Sequence, residues 1–331
     1  MSAKKRILSG MRPTGKLHIG HLVGALNNWV KLQDEYECFF VVVDWHALMS
    51  EYTNAKAIYE NGVDNAIDWI SCGIDYKKSA VFVQSDVQEH LELNMILSCI
   101  TPLGWLKRCP TYKEQLKEIK DRDLETYAFL GYPVLQAADI LLYRATTVPV
   151  GEDQLPHLEL TREIARRFNH LYKAKLPEPQ ALLAQMPRLL GLDGRKMSKS
   201  YHNTIDLSES HVNIKKKVQG MFTDPKRIRR NDPGHPDKCN VHSYYAVFAP
   251  GKEKEVTENC RNAKIGCTEC KQMLAEELIK VLKPIQEKRK ELSQERDTIK
   301  EILRDGAERA RTVARATVQE VKTALFGKDE L

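Results

Sequence analysis

At 331 residues, with 42% hydrophobic and 29% charged side chains, the chain has the totals of an ordinary soluble globular protein, long enough for two domains that each bury a core. No apolar run approaches the roughly 20 residues needed to span a bilayer, which excludes a helical membrane protein and any expected membrane partner. A net charge of +6 suits a polyanionic partner without demanding one.

The basic N-terminus leads straight into Arg6-Ile7-Leu8-Ser9, read as a first strand, with no secretory core before it; a cytoplasmic location is expected. Further strands are predicted at 38–43, 80–84 and 148–150, alternating with helical patterns near 20–35, 54–73, 88–100 and 125–143. The second strand is apolar throughout, the pattern of a strand buried on both faces of a parallel sheet. The expected fold class is α/β, a doubly wound parallel-sheet (Rossmann-like) catalytic domain with ligands beyond the carboxyl ends of its strands. From about Leu207 strand patterns vanish. A Pro/Gly/Asp-rich segment (Asn231 to Asp237), a long helix from about Glu269 that should bend or break near Pro284, and a basic amphipathic helix over 294–326 take over. The division expected is a catalytic domain over 1–203 and an all-α domain over 204–331, its final helix open to packing back on the first domain.

Two motifs carry phosphate chemistry. After the first strand comes Arg12-Pro13-Thr14-Gly15-Lys16-Leu17-His18-Ile19-Gly20-His21. Gly20 leaves room for a base or ribose to approach the backbone, and His18 and His21 can donate to phosphate oxygens beside a helix start. Much later Lys196-Met197-Ser198-Lys199-Ser200 offers two ammonium groups able to stabilise charge as pyrophosphate departs. The pair, in this order, resembles the HIGH and KMSKS signatures of class I aminoacyl-tRNA synthetases.

Tyr132, Gln136, Asp139 and Tyr143 form a polar stripe on an otherwise apolar helix. A carboxylate buried there needs a partner, either a substrate N–H or O–H or an internal arginine. Val148-Pro149-Val150 is followed by Gly151-Glu152-Asp153-Gln154, acidic residues that cap a helix or meet a ribose. These two segments resemble the tryptophanyl-tRNA synthetases, and the likeness extends over most of the chain. The resemblance implies that Asp139 accepts the indole N–H, that Tyr132 and Gln154 hold the substrate amino group, and that Val43, His46, Val148 and Val150 wall the pocket with Gln136. It implies ATP binding by Arg12, Pro13, Thr14, Gly20, His21, Gly151, Glu152, Asp153, Lys113 and Lys196 to Ser200, with His18, His21, Lys196 and Lys199 acting in catalysis. Mg²⁺ would accompany ATP, and the partners would be tRNA(Trp), L-tryptophan and a second copy of the chain in a homodimer. Many tryptophanyl enzymes have Thr-Ile-Gly-Asn where this chain has His18-Ile19-Gly20-His21, and Met where it has Gln136. Tyrosyl-tRNA synthetases carry HIGH-like motifs and a Tyr-x3-Gln-x2-Asp stripe, so tyrosine is the alternative substrate. A non-catalytic synthetase-like protein that binds tRNA or tryptophan is the alternative of another class.

Eight cysteines divide into two sets. Cys38, Cys72, Cys99 and Cys109 are scattered, whereas Cys239, Cys260, Cys267 and Cys270 cluster and suit tetrahedral Zn²⁺ or an iron–sulfur cluster. The spacing C-x20-C-x6-C-x2-C resembles a bacterial tryptophanyl subgroup whose C-x22-C-x6-C-x2-C binds a 4Fe–4S cluster near the anticodon-reading surface. That implies a 4Fe–4S cluster, with Zn²⁺ as alternative, in an anticodon-binding domain. Lys215 to Lys217 and Lys226 to Arg230 flank it with positive charge suited to phosphate contacts.

Overall fold

The computed structural model describes residues 4–118, 123–183 and 189–327. Five strands, β1 (Arg6–Met11), β2 (Glu37–Val42), β3 (Ala80–Val83), β4 (Thr147–Val150) and β5 (Gln180–Leu183), fall in the first part of the chain. The α-helices in chain order are α1 (Ile19–His21), α2 (Asn27–Glu35), α3 (Asp44–Glu51), α4 (Ala55–Ser71), α5 (Glu89–Ser98), α6 (Leu103–Arg108), α7 (Pro110–Glu118), α8 (Tyr127–Leu142) and α9 (Leu155–Tyr172). There follow α10 (His211–Gln219), α11 (Asn240–Phe248), α12 (Pro250–Arg261), α13 (Cys267–Gln294) and α14 (Arg296–Phe326). Among the described residues no helix is long and apolar enough to cross a membrane.

Compactness divides the chain into two units, and not at a single point near 203. One unit holds 1–15, 29–184 and 295–331; the other holds 16–28 and 185–294. The segments carrying both signature motifs therefore group with the helical region, while the last helix groups with the sheet.

The first unit is built on a sheet in the order β3-β2-β1-β4-β5, every pairing parallel. Its order reverses between β1 and β4, the place where a doubly wound sheet opens a crevice at its carboxyl edge. Apolar strands need helices on both sides; Phe40, Val41, Val42, Val81 and Phe82 are all fully buried. No sequence pattern predicts β5. Its residues, Gln-Ala-Leu-Leu, include no β-branched side chain and carry little intrinsic signal. Pairing with β4 from Thr147↔Gln180 to Val150↔Leu183 makes it a strand. α14 belongs here because it packs on β3: at Gly306 a Cβ would lie 2.0 Å from the Val81 carbonyl oxygen. Arg309 donates to the carbonyls of Tyr76 and Ser79, and Arg296 pairs with Glu60 and Asp64 at 2.7 Å each.

In the second unit α10 packs on α13, burying Ile214 and Val218 among Leu274, Leu278 and Leu282. The expected break near Pro284 does not occur; α13 runs through it as one helix of 28 residues. Pro284 is exposed, so the carbonyl it leaves without an N–H donor can turn to water while the buried stripe holds the axis. Gln286, just beyond, donates to the carbonyls of Leu207 and Glu209 at 2.9 and 3.0 Å.

Candidate active site

The two signature motifs meet inside the second unit. His18 is extended and caps α1: its Nδ1 accepts from the Gly20 N–H, and His21 Nδ1 accepts from the His18 N–H, each at 3.1 Å. Backbone N–H groups can only donate, so each ring must carry its proton on Nε2 when neutral. Both imidazoles thus present one N–H donor away from the backbone. Gly20 lies against the second motif, where a Cβ would meet Met197 Sδ at 2.8 Å and the His18 ring at 2.9 Å. Backbone bonds Ile19 N–H to Ile205 O (3.0 Å) and Leu207 N–H to Leu17 O (2.9 Å) tie the segments together.

Lys196 stands exposed on a short hairpin closed by the bridge Leu190↔Lys196. Asn203, which the sequence does not single out, holds this loop. Its amide N donates to Asp193 Oδ1 (2.8 Å) and the Lys196 carbonyl (3.1 Å), and its oxygen accepts from the Ser198 N–H (2.8 Å). Nothing in a lone Asn after the motif announces such a role. Met197, Ser198 and Lys199 are half-buried; the side chain of Ser200 lies outside the described residues.

The first unit carries the second group of residues. Asp139 is 3% exposed on α8 and, among the described residues, pairs with histidines and not with an arginine. Gln84 Nε2 donates to both its oxygens (2.8 and 2.9 Å), while the His46 and His90 rings meet it at 3.0 and 2.7 Å. Burial pushes this carboxyl up, but His90 and His46 outweigh it and hold Asp139 well below the usual carboxylate range. The Tyr143 hydroxyl continues the chain to His90 at 2.8 Å. Gln84 Oε1, also buried, has no hydrogen-bond partner among the described residues. Sequence reasoning missed Gln84 and His90. Their signal was position: polar residues directly after the buried strand β3, at its carboxyl end.

Tyr132 is half-buried, its hydroxyl 3.1 Å from His157 Nε2, and His157 Nδ1 lies 3.3 Å from Cys109 Sγ. Neither Cys109 nor His157 stands out in the sequence. Val148 is buried; Val43 and Val150 are half-buried against the same core as α8, and Gln136 is half-buried on that helix. Pro13 is buried at the end of β1, Thr14 is exposed, and Arg12 reaches Ser50 Oγ at 3.4 Å. Gly151, Glu152 and Asp153 are exposed beyond β4, with Asp153 Oδ2 accepting from Gln154 Nε2 at 3.0 Å. Lys113 is exposed on α7.

Three of these histidines are held neutral. Burial, then the Lys199 charge, lowers His18 to about 4; burial, His18 and Lys199 lower His21 to about 3; burial and His46 lower His157 to about 4. Since the folded values lie below the ordinary 6.5, their contribution to stability is full above that pH and lost as pH falls through 6.5 toward 4. Urea denaturation at pH 7.5 and pH 5 should show a lower midpoint at pH 5, with proton uptake on unfolding there. Equal midpoints with no uptake would overturn the assignment.

The late cysteines converge in the second unit. Cys239 precedes α11, Cys260 ends α12 and Cys267 and Cys270 open α13. All four are half-buried free thiols. Burial, with the nearby Cys239, Cys260 and Cys267, pushes Cys270 up to about 12. Cys260 is raised by burial against the opposing Arg227 guanidinium, whose Nη1 lies 3.7 Å from its Sγ. At Gly234 a Cβ would stand 2.4 Å from Cys260 Sγ, so only glycine admits the thiol there. Among the described residues no three His, Cys, Asp or Glu side chains are gathered closely enough to hold a single metal ion.

Comparison with known proteins places the chain in a family. The family described as tRNA synthetases class I (W and Y) matches residues 2–283. A tryptophan–tRNA ligase of Thermotoga maritima is 51% identical over 323 residues, covering 97% of this chain and 98% of its own length. One from Aquifex aeolicus is 43% identical, with 97% and 99% covered. The crystal structure of a tryptophanyl-tRNA synthetase from Campylobacter jejuni, complexed with ADP and tryptophan, superposes with a TM-score of 0.88 at 34% identity, covering 97% and 99% of the two chains.

Proposed function

The chain belongs to the class I tRNA synthetases for tryptophan and tyrosine and is a tryptophan–tRNA ligase; on that footing we propose that Asp139 receives the substrate indole and that the signature histidines and lysines act on ATP. Tryptophan is activated by ATP, its carboxylate attacking the α-phosphorus to give tryptophanyl-adenylate and diphosphate. The amino acid then passes to a ribose hydroxyl at the end of tRNA(Trp). Neither step needs a protein nucleophile, so catalysis rests on positioning and on charge stabilisation.

One observation carries the substrate assignment: a fully buried, ionised Asp139 beside the orphan Gln84 Oε1. Asp139 is already met by Gln84, His46 and His90, but the buried Gln84 Oε1 beside it costs free energy until a donor arrives, and the indole N–H is such a donor to this acceptor cluster. Tyr132 and Gln154 hold the substrate amino group, with Val43, His46, Gln136, Val148 and Val150 around the ring. His18 and His21 donate Nε2–H to phosphate oxygens as neutral rings. Lys196 and Lys199 take the charge of departing diphosphate, while Arg12, Pro13, Thr14, Gly20, Lys113, Gly151 to Asp153 and Met197 to Ser200 line the nucleotide. Mg²⁺ accompanies ATP, held by phosphate oxygens and water. The helical region reads the anticodon, in the cytoplasm.

Association with a second copy is supported by exposed apolar side chains on α8 and on the two helices packed against it: Met95 on α5 (62% exposed), Leu103 on α6 (59%) and Tyr127 on α8 (84%).

The four late cysteines hold a 4Fe–4S cluster in this reading. Zn²⁺, which four thiolates would bind tetrahedrally, is the alternative occupant. All four cysteines come from the ends and starts of helices in one compact unit, and the other three lie near enough to be felt by Cys270, a neighbourhood the larger cluster suits. When bound, the group supplies a structural cross-link among α11, α12 and α13. A single anaerobic preparation tests the whole reading. Exchange of diphosphate into ATP should depend on tryptophan and not on tyrosine, and iron and sulfide should each approach four per chain. Tyrosine-dependent exchange would overturn the substrate; iron-free, zinc-bearing protein would overturn the cluster.

A further inference from the structure

Helix α11 touches two features that the reading above keeps apart, the cysteine site and the hairpin that carries Lys196. It starts directly after Cys239, and Tyr245 donates to the Cys270 carbonyl at 2.7 Å. From its other side Asn240 Nδ2 donates to the Gly191 carbonyl at 2.8 Å and the Tyr244 hydroxyl to the Leu190 carbonyl at 2.7 Å. Asn240 and Tyr244 are one helical turn apart, so they share a face, whereas Tyr245 is rotated about 100° from Tyr244. All three residues are buried, at 6%, 0% and 0% exposure, and the Asn240 bond is fully shielded from water.

The hairpin passes the constraint on without slack. Leu190 bridges Lys196, the Gly191 N–H donates to the Arg195 carbonyl at 2.7 Å, and Leu192 N–H donates to the Asn203 carbonyl at 2.9 Å. Gly191 lies so close to Asn203 that a Cβ would stand 2.2 Å from its amide nitrogen, and that same nitrogen holds the Lys196 carbonyl. A shift of α11 therefore moves Gly191, then Asn203, then the backbone of both Lys196 and Ser198. All of this lies within one compact unit.

We propose that α11 is a strut coupling the four-cysteine site to the signature-lysine loop, with Asn240 and Tyr244 as positioning residues for adenylate formation. The proposal rests on the ligase reading. It assigns the cysteine site an effect on the step that needs no tRNA, in addition to any effect on tRNA binding. Coupling of this kind is reciprocal: occupancy of the loop by nucleotide must change the state of the thiols as much as the thiols change the loop.

The test uses the full chain, prepared anaerobically, with peptide-resolved iodoacetamide labelling of Cys239, Cys260, Cys267 and Cys270 in excess chelator, so that labelling reports the release of each thiol from whatever it holds. A non-hydrolysable tryptophanyl-adenylate analogue should change the labelling rate of these thiols by about fivefold or more in the unaltered protein. In Asn240→Ala and in Tyr244→Phe, which keeps the buried ring and hence the packing, that response should vanish. Both variants should lower kcat for ATP–pyrophosphate exchange about tenfold with little change in KM for tryptophan, the pattern of a loop misplaced at the transition state. Labelling unaffected by the analogue in the unaltered protein would overturn the proposal, as would a response retained in Tyr244→Phe. Failure of the ligase reading looks different: the unaltered protein would then show no tryptophan-dependent exchange at all.

Discussion

Asp139→Asn is expected to lower kcat/KM for tryptophan in ATP–pyrophosphate exchange by at least about a thousandfold, the scale on which a site built around a substrate N–H discriminates. The aspartate is an acceptor only, and it meets Gln84 Nε2, His46 Nε2 and His90 Nδ1. The amide keeps the shape of the carboxylate but turns one acceptor into a donor that faces other donors. It also removes the negative charge that the two histidines hold in place. A second readout separates recognition from general damage. The isostere with sulfur in place of the indole N–H should be a poor substrate for the unaltered enzyme, and the Asp139→Asn variant should narrow that preference to within about tenfold. A variant that folds, as judged by its melting curve, and keeps both activity and preference would remove Asp139 from indole recognition.

Lys196→Ala and Lys199→Ala are each expected to lower kcat for exchange by about 10² to 10³, the usual consequence of removing one charge-stabilising group from a transition state. Tryptophan affinity, measured by equilibrium binding without ATP, should change little, because the lysines act on phosphate. Lys199 also lies close enough to lower both signature histidines. Its removal should therefore let His18 and His21 titrate at higher pH, a shift readable by NMR of the imidazole protons. Unchanged exchange in both variants would take the lysines out of the mechanism.

Both signature motifs and Asp139 were legible because each is a local pattern. His18 and His21 sit three apart, and Asp139 lies on a polar stripe within one helix. The residues that make them work were hidden, since their partners are remote in sequence: Gln84 and His90 are 55 and 49 residues from Asp139. Asn203 gave no signal because its importance lies in three backbone contacts that only the folded hairpin creates. The sheet was read from its apolar strands, but β5, four residues without β-branching, depends on β4 for its existence. The expected boundary near 203 followed a change in strand content. That measure is blind to α14, a helix by pattern that is packed against a strand by contact.

The placement of α14 bears on how this protein is made. β3 is an edge strand of the parallel sheet, and the helix that lies against it comes more than 200 residues later in the chain. Until Arg296 to Phe326 has emerged, the sheet waits with an incomplete flank, its β3 backbone open to pairing with another nascent chain. Gly306, by letting the helix approach the Val81 carbonyl, closes that flank once α14 is made. Premature termination between Leu183 and Arg296 would thus yield chains with an uncovered edge although Gln84, His90 and Asp139 are already present, destined more for aggregation than for partial activity.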